Sequence, residues 1–229
     1  EEFIAKAARE GAQPVVFPED SLTGPLSAQT GFLSSAPAFL STFQAMALEH
    51  GVDIVPGSWA VSDGQHVYNM AHYINKDGSL AGSYSKIHLW ETEKTLITPG
   101  AAVSVFDTAF GRVGLTICWD VSFPPLFTAM NAQGVEMVIS PTYWSFTTPP
   151  KDVPDVMEDE VLLIDSLCTA RAFENNIVFA YCNAAGALEM DGVQAVLSGH
   201  SQVTHPGLKV VGKLDGNKEE MLLVEVPLI

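Results

Sequence analysis

The stretch Gly111-Arg-Val-Gly-Leu-Thr-Ile-Cys-Trp-Asp-Val-Ser-Phe-Pro-Pro125 decides how the rest of the chain is read. Val113 to Ile117 is an apolar, β-rich run that places Cys118 at the end of a strand. The pattern then changes: Asp120 and Ser122 are helix-capping types, and Pro124-Pro125 suit a first helical turn. A thiol at such an elbow stands near the positive end of a helix dipole, which favours the thiolate. The competing reading is a buried core cysteine, commoner for any one cysteine taken at random.

Outward from the elbow, helical and strand patterns alternate. Residues 1–11 read as an amphipathic helix with Phe3, Ile4, Ala7 and Ala8 on one side, stopped by Gly11. Nothing strand-like precedes it, so a first strand is expected to be missing ahead of Glu1. Pro14-Val-Val-Phe-Pro18 is a short strand, apolar on both faces, that ends on Glu19-Asp20. Segment 20–34 reads as a loop, 36–50 as a helix and 52–56 as a strand. Runs 66–75 and 79–86 flank the turn Asn75-Lys-Asp-Gly78 and form a hairpin. Strands follow near 103–107 and 112–118, then a helix near 123–133 and a strand at 136–140. A Pro-rich acidic loop at 145–157 precedes a helix at 158–175 and a strand at 177–182. Strands near 195–197, 201–204, 208–211 and 221–226 close the chain. This order predicts one α/β domain over residues 1–229, with two sheets packed together and helices outside.

Composition narrows the function classes. Lys and Arg number 11 against 27 Asp and Glu, a net charge of −16. That balance argues against nucleic acid or an anionic membrane as partner, because phosphate binding needs clustered cations. No apolar run reaches the roughly 18 residues of a membrane helix. Three cysteines (Cys118, Cys168, Cys182) without paired spacing make no disulfide framework, which points to a reducing, cytoplasmic setting. The six histidines show no metal-ligand spacing, and Gly-rich phosphate loops and a GxSxG elbow are absent.

A catalytic thiol needs a base and a group that polarises the electrophile. Lys86 ends the second hairpin arm beside Ile87 and Leu89, and Glu19 ends the Pro14–Pro18 strand. Alone, each reads as an exposed strand or turn residue. Together with Cys118 they are three ionisable groups at the ends of three apolar strands, and such ends converge on one edge of a sheet.

Phe17-Pro-Glu19, Ser85-Lys-Ile-His-Leu89 and Gly114-Leu-Thr-Ile-Cys-Trp-Asp120 with Phe123-Pro124 resemble, in order, the three signature blocks of the nitrilase superfamily of carbon–nitrogen hydrolases. Weaker similarity extends through Pro99-Gly100, Gly134-Val-Glu-Met-Val138, Ala170-Arg-Ala-Phe-Glu-Asn175 and Gly199-His-Ser201. The resemblance implies a four-layer α-β-β-α sandwich with two mixed β-sheets. It implies that Glu19 is the general base, Lys86 stabilises the oxyanion and Cys118 attacks, with no cofactor and no metal. A second family glutamate, which orients the lysine and substrate, falls on Glu93 ahead of Gly100, with Glu91 as the alternative. The backbone N–H of Trp119 would complete the oxyanion hole.

The residues after the thiol carry the substrate question. Cys118-Trp-Asp120 is similar to amidase and N-carbamoyl amidase members, whereas nitrilases proper tend to Cys-Trp-Glu. Glu93-Lys94 with Thr98-Pro-Gly100 resembles the carbamoyl-putrescine amidase type. Pro125 departs from the Glu common in the family at that position. Tyr143-Trp144 is expected to finish the pocket, with core aromatics as the even alternative, and the acidic residues Asp152, Asp155, Glu158, Asp159 and Glu160 read as a solvated loop. Cys168 and Cys182 are expected to be structural thiols, and His88 to share a strand face with Lys86. The expected reaction is thioester hydrolysis of a small linear amide or N-carbamoyl compound; alternatives are nitrile hydrolysis or a catalytically silent scaffold. By the same resemblance the chain is expected to form a homodimer or larger homo-oligomer.

Overall fold

The structure, a computed structural model, describes residues 1–24, 30–146, 156–190, 193–227 and 229. The first sheet grows from the hairpin. Strand β4 (Val67–Ile74) pairs antiparallel with β5 (Leu80–Ser85) on one side and with β3 (Ser58–Ser62) on the other. Its far end pairs Ile74 with Ile54 of β2 (Ile54–Val55), and β2 runs parallel to β1 (Val15–Val16). Alternation along β4 sends Ala71 and Tyr73 to one face and His72 and Ile74 to the other.

The second sheet has six strands. β6 (Ser104–Thr108) and β7 (Gly111–Leu115) form a hairpin edge. Beside it lie β8 (Met137–Thr142) and β10 (Val178–Asn183), both parallel to β7, and then antiparallel β13 (Gln202–His205) and β14 (Lys209–Lys213). A third, antiparallel sheet of β9 (Ser145–Phe146), β11 (Ala185–Met190) and β12 (Val193–Ser198) adds to the two mixed sheets expected.

Three apolar layers hold these parts as an α-β-β-α sandwich. Helices α1 (Glu2–Arg9) and α2 (Ala36–His50) place Ile4, Ala7, Phe43 and Ala47 against Val15, Ile54 and Ile74 of the first sheet. Between the sheets, Ala71, Tyr73 and Tyr84 meet Val113, Leu115 and Ile139. The approach is close: a Cβ on Gly82 would stand 2.1 Å from the Phe106 ring. On the outer face of the second sheet, Leu126, Phe127 and Met130 of α3 (Pro124–Asn131) and Ile164, Cys168 and Ala172 of α4 (Val156–Asn175) cover Val138 and Phe179. Among the described residues no helix is long and apolar enough to cross a membrane.

Several expectations are corrected. Residues 221–226 form no strand; their apolar side chains line a cavity of about 1190 Å³ along Val15–Phe17, and no neighbouring edge pairs with them. β3 and β11 are strands that the sequence reading left out. Ala185-Gly-Ala-Leu-Glu-Met190 has the composition of a helix, and the six-residue ladder with β12 overrides it. Segment 20–34 includes a 3₁₀ turn at Thr30–Ser35. The strand before Cys118 stops at Leu115. Within 145–157, Ser145–Phe146 is strand, while Asp152 and Asp155 lie outside the described residues.

Candidate active site

Lys86 directly follows β5 and is pinned by its backbone. Its N–H donates to the Asn69 carbonyl of β4 at 2.9 Å, and its carbonyl accepts the Gly100 N–H at 2.8 Å. Gly100 comes so close that a Cβ there would meet the Ser85 oxygen at 2.1 Å, which is the physical content of the Pro99-Gly100 pair. The Lys86 side chain is 2% exposed and ends between two carboxylates: Glu19 Oε1 at 2.9 Å and Glu93 Oε2 at 2.8 Å.

Glu19 arrives from the first sheet. The chain beyond β1 stays extended beside β2, with the Phe17 N–H bonded to the Val55 carbonyl at 2.8 Å and Glu19 bridging Ser58. Both carboxylate oxygens accept hydrogen bonds. Oε1 accepts from Lys86 and, at 2.8 Å, from Asn69 Nδ2; Oε2 accepts the Tyr143 backbone N–H at 3.0 Å. Burial raises the Glu19 carboxyl above the ordinary range, Lys86 opposes that, and the Glu93 charge adds to it. Glu93 sits in a 3₁₀ turn (Glu93–Thr95), buried, with Oε2 accepting the Trp90 N–H at 2.7 Å and Oε1 the Asn69 amide at 3.1 Å. Glu91 instead faces solvent and pairs with Lys94. Of the two glutamates, Glu93 is the one against Lys86.

Cys118 comes from the second sheet. It opens a five-residue 3₁₀ turn (Cys118–Ser122) with φ +47°, a left-handed conformation that a non-glycine residue rarely adopts. Asp120, fully buried, holds this elbow to the lysine segment. It accepts the Ile117 N–H at 3.0 Å, the Tyr84 hydroxyl at 2.7 Å and the His88 N–H at 2.9 Å, and contacts His88 Nδ1 at 2.8 Å. The His88 ring stacks on Phe123 at 3.7 Å and lies outside β5, so it does not share the Lys86 strand face as expected. Burial and then the Glu19 charge push the Cys118 thiol well above its usual value, while Lys86 works in the opposite sense.

Aromatic rings stand over the elbow. Trp119 meets Trp90 edge-on at 4.7 Å and Trp144 at 5.6 Å. The Trp144 indole donates to Glu160 Oε2 at 3.0 Å. Tyr143 reaches the cluster through its backbone, while its hydroxyl is buried without a partner among the described residues and its pKa is raised to about 12 by burial and then by the Asp20 and Glu19 charges. The large cavity along β1 touches Glu19 and Tyr143 but neither Cys118 nor Lys86. Cys168 is core, and Cys182 donates to the Val16 carbonyl at 3.4 Å. Among the described residues no group of three His, Cys, Asp or Glu is placed to hold a metal ion. Sequence reasoning missed Asn69 and Trp90. The Asn was the findable one, a lone amide inside an apolar strand.

A buried thiol, carboxylate and ammonium gathered where two sheets of an α-β-β-α sandwich meet are the equipment of a cysteine hydrolase. The carbon–nitrogen hydrolase family model matches residues 1–228, and the chain belongs to that family, within the nitrilase superfamily. A "Probable nitrilase" of Schizosaccharomyces pombe is 31% identical over 194 residues, covering 84% of this chain and 65% of that protein. Human omega-amidase NIT2 is 28% identical over 238 residues, covering 99% of this chain and 80% of its own length. Among solved structures, a mutant of the amidase from Nesterenkonia sp. AN1 that shows Michael addition of acrylamide at its active site cysteine superposes with a TM-score of 0.82. It is 27% identical and covers 99% of this chain and 84% of its own.

Proposed function

We propose that the protein hydrolyses a small linear amide or N-carbamoyl compound through a thioester on Cys118, giving an acid or carbamate and ammonia or an amine. The observation that carries this reading is the Lys86 ammonium held between two buried carboxylates, Glu19 and Glu93, beside the thiol. Glu19 takes the thiol proton as Cys118 Sγ attacks the carbonyl carbon. Of the three ammonium N–H groups, two face the carboxylates, which leaves the third for the developing oxyanion. The proton passes to the leaving nitrogen as the C–N bond breaks. Water then gives a proton to Glu19 and attacks the thioester, and the released thiolate is reprotonated.

The Cys118-Trp-Asp120 sequence and the amidases among the relatives support amides over nitriles, while the yeast relative keeps nitriles as the second reading. The test is ammonia release from matched amides, carbamoyl amines and nitriles, with Cys118→Ala as control. Amide or carbamoyl turnover is expected, lost in the variant, with the acyl mass on Cys118 in the parent. Turnover of nitriles alone favours the second reading, and turnover surviving Cys118→Ala overturns both. Lys86→Ala is expected to cost roughly 100- to 1000-fold, as loss of an oxyanion donor does.

A further inference from the structure

We propose that Asn69 is a positioning residue for this chemistry: its one amide group holds Glu19 and Glu93 on either side of the Lys86 ammonium and leaves the second Glu19 oxygen for the thiol proton. The inference rests on the hydrolytic reading above. Asn69 is 1% exposed in the middle of β4, a position where a strand between two neighbours ordinarily carries an apolar residue. Its Nδ2 lies 2.8 Å from Glu19 Oε1 and 3.1 Å from Glu93 Oε1, so its two N–H bonds serve two carboxylates. The direction is forced, because ionised carboxylates only accept and the reversed amide would aim its oxygen at both.

Asn69 Oδ1 has no partner among the described residues. A buried acceptor left unpaired costs free energy, so an amide here is explained by its donors and not by packing. The backbone adds a second tie: the Asn69 carbonyl accepts the Lys86 N–H at 2.9 Å. One residue thus sets the place of the lysine and of both its counter-ions.

Glu19 Oε1 takes both Asn69 and Lys86, which leaves Oε2 with the Tyr143 N–H alone among these donors, and the Cys118 thiol is hydrogen-bonded to the same carboxylate. The amide also favours the ionised base, since a donor to a carboxylate stabilises the charged form. The groups around Glu19 from each packed element are Lys86, Glu93, Cys118 and the phenols of Tyr143 and Tyr181, with Asp20 beside it. Beside them, Asn69 donates to the base from a neutral group that is not itself titratable.

The experiment compares the full chain with Asn69→Leu and Asn69→Ser in two pH profiles: iodoacetamide alkylation of Cys118, located by peptide mass, and amide turnover. Both acid limbs are expected to move to higher pH by about one unit or more in Asn69→Leu, with Asn69→Ser between, because the base loses a charge-assisted donor. Limbs that stay in place while the overall level or the melting temperature drops would overturn the proposal and leave Asn69 a packing residue. If Asn69→Leu does not fold, Asn69→Ser carries the same two outcomes. A parent without turnover whose alkylation limb still shifts on substitution would sink the hydrolytic reading and keep the positioning one.

Discussion

At the scale of single residues, the proposed base and the proposed nucleophile are both shifted by burial, and in the same direction. Glu19 must be ionised to accept the thiol proton, and its carboxyl is raised above the ordinary value of 4.5. Activity is therefore expected to rise with pH through a midpoint above 4.5. In Glu19→Gln that limb should disappear, with a rate loss of roughly 100- to 10,000-fold in initial-rate assays. A parent limb at or below 4.5 would show that another group governs the acid side. Glu19, Lys86 and Cys118 were legible in the sequence because each ends an apolar strand and each sits in a recognisable block. Asn69 was visible only as a lone amide in an apolar strand, and its partners come from a register: β4 sets it beside the residue that follows β5. The exposed face of Trp90 carried no signal at all, because ring contacts with Trp119 are made across a loop.

At the scale of elements, a single buried carboxylate carries several of the ties between the two sheets. Asp120 joins the nucleophile turn of the second sheet to Tyr84 and His88 on the hairpin extension of the first. Truncating it would leave the buried Tyr84 hydroxyl and Ile117 amide, and the half-buried His88 amide, without this acceptor. Asp120→Ala is expected to lower unfolding free energy by about 3 kcal/mol or more in urea titrations, and to lower turnover at temperatures where the chain is still folded. A change below about 1 kcal/mol would mean that water replaces the carboxylate easily. Element types were read well where the period was long, as in α2, α4 and the β4–β5 hairpin. The failures share a cause. β11 has helix-favouring residues yet is paired along its length, whereas 221–226 is apolar like a strand and makes no ladder with any described strand. Pairing is a property of neighbours, and local composition does not contain it.

For the molecule as a whole, the site lies on the seam between sheets: Glu19 and Lys86 belong to one, Cys118 to the other. No single layer can hold the chemistry alone, so catalytic geometry appears only once the sheets have docked through Tyr73, Tyr84, Leu115 and Ile139. The left-handed backbone at Cys118 adds a conflict between working and folding. A β-carbon in that conformation costs on the order of 1 kcal/mol, which glycine would not incur. Two inactive variants should then differ in robustness: Cys118→Gly is expected to melt about 2–4 °C above Cys118→Ala by calorimetry. Equal melting temperatures would mean that the turn relaxes to suit its occupant. In evolutionary terms, the proposed nucleophile is a residue that selection for stability alone would discard. A lineage released from catalysis should lose it first at this position, drifting to glycine while the rest of the seam stays packed.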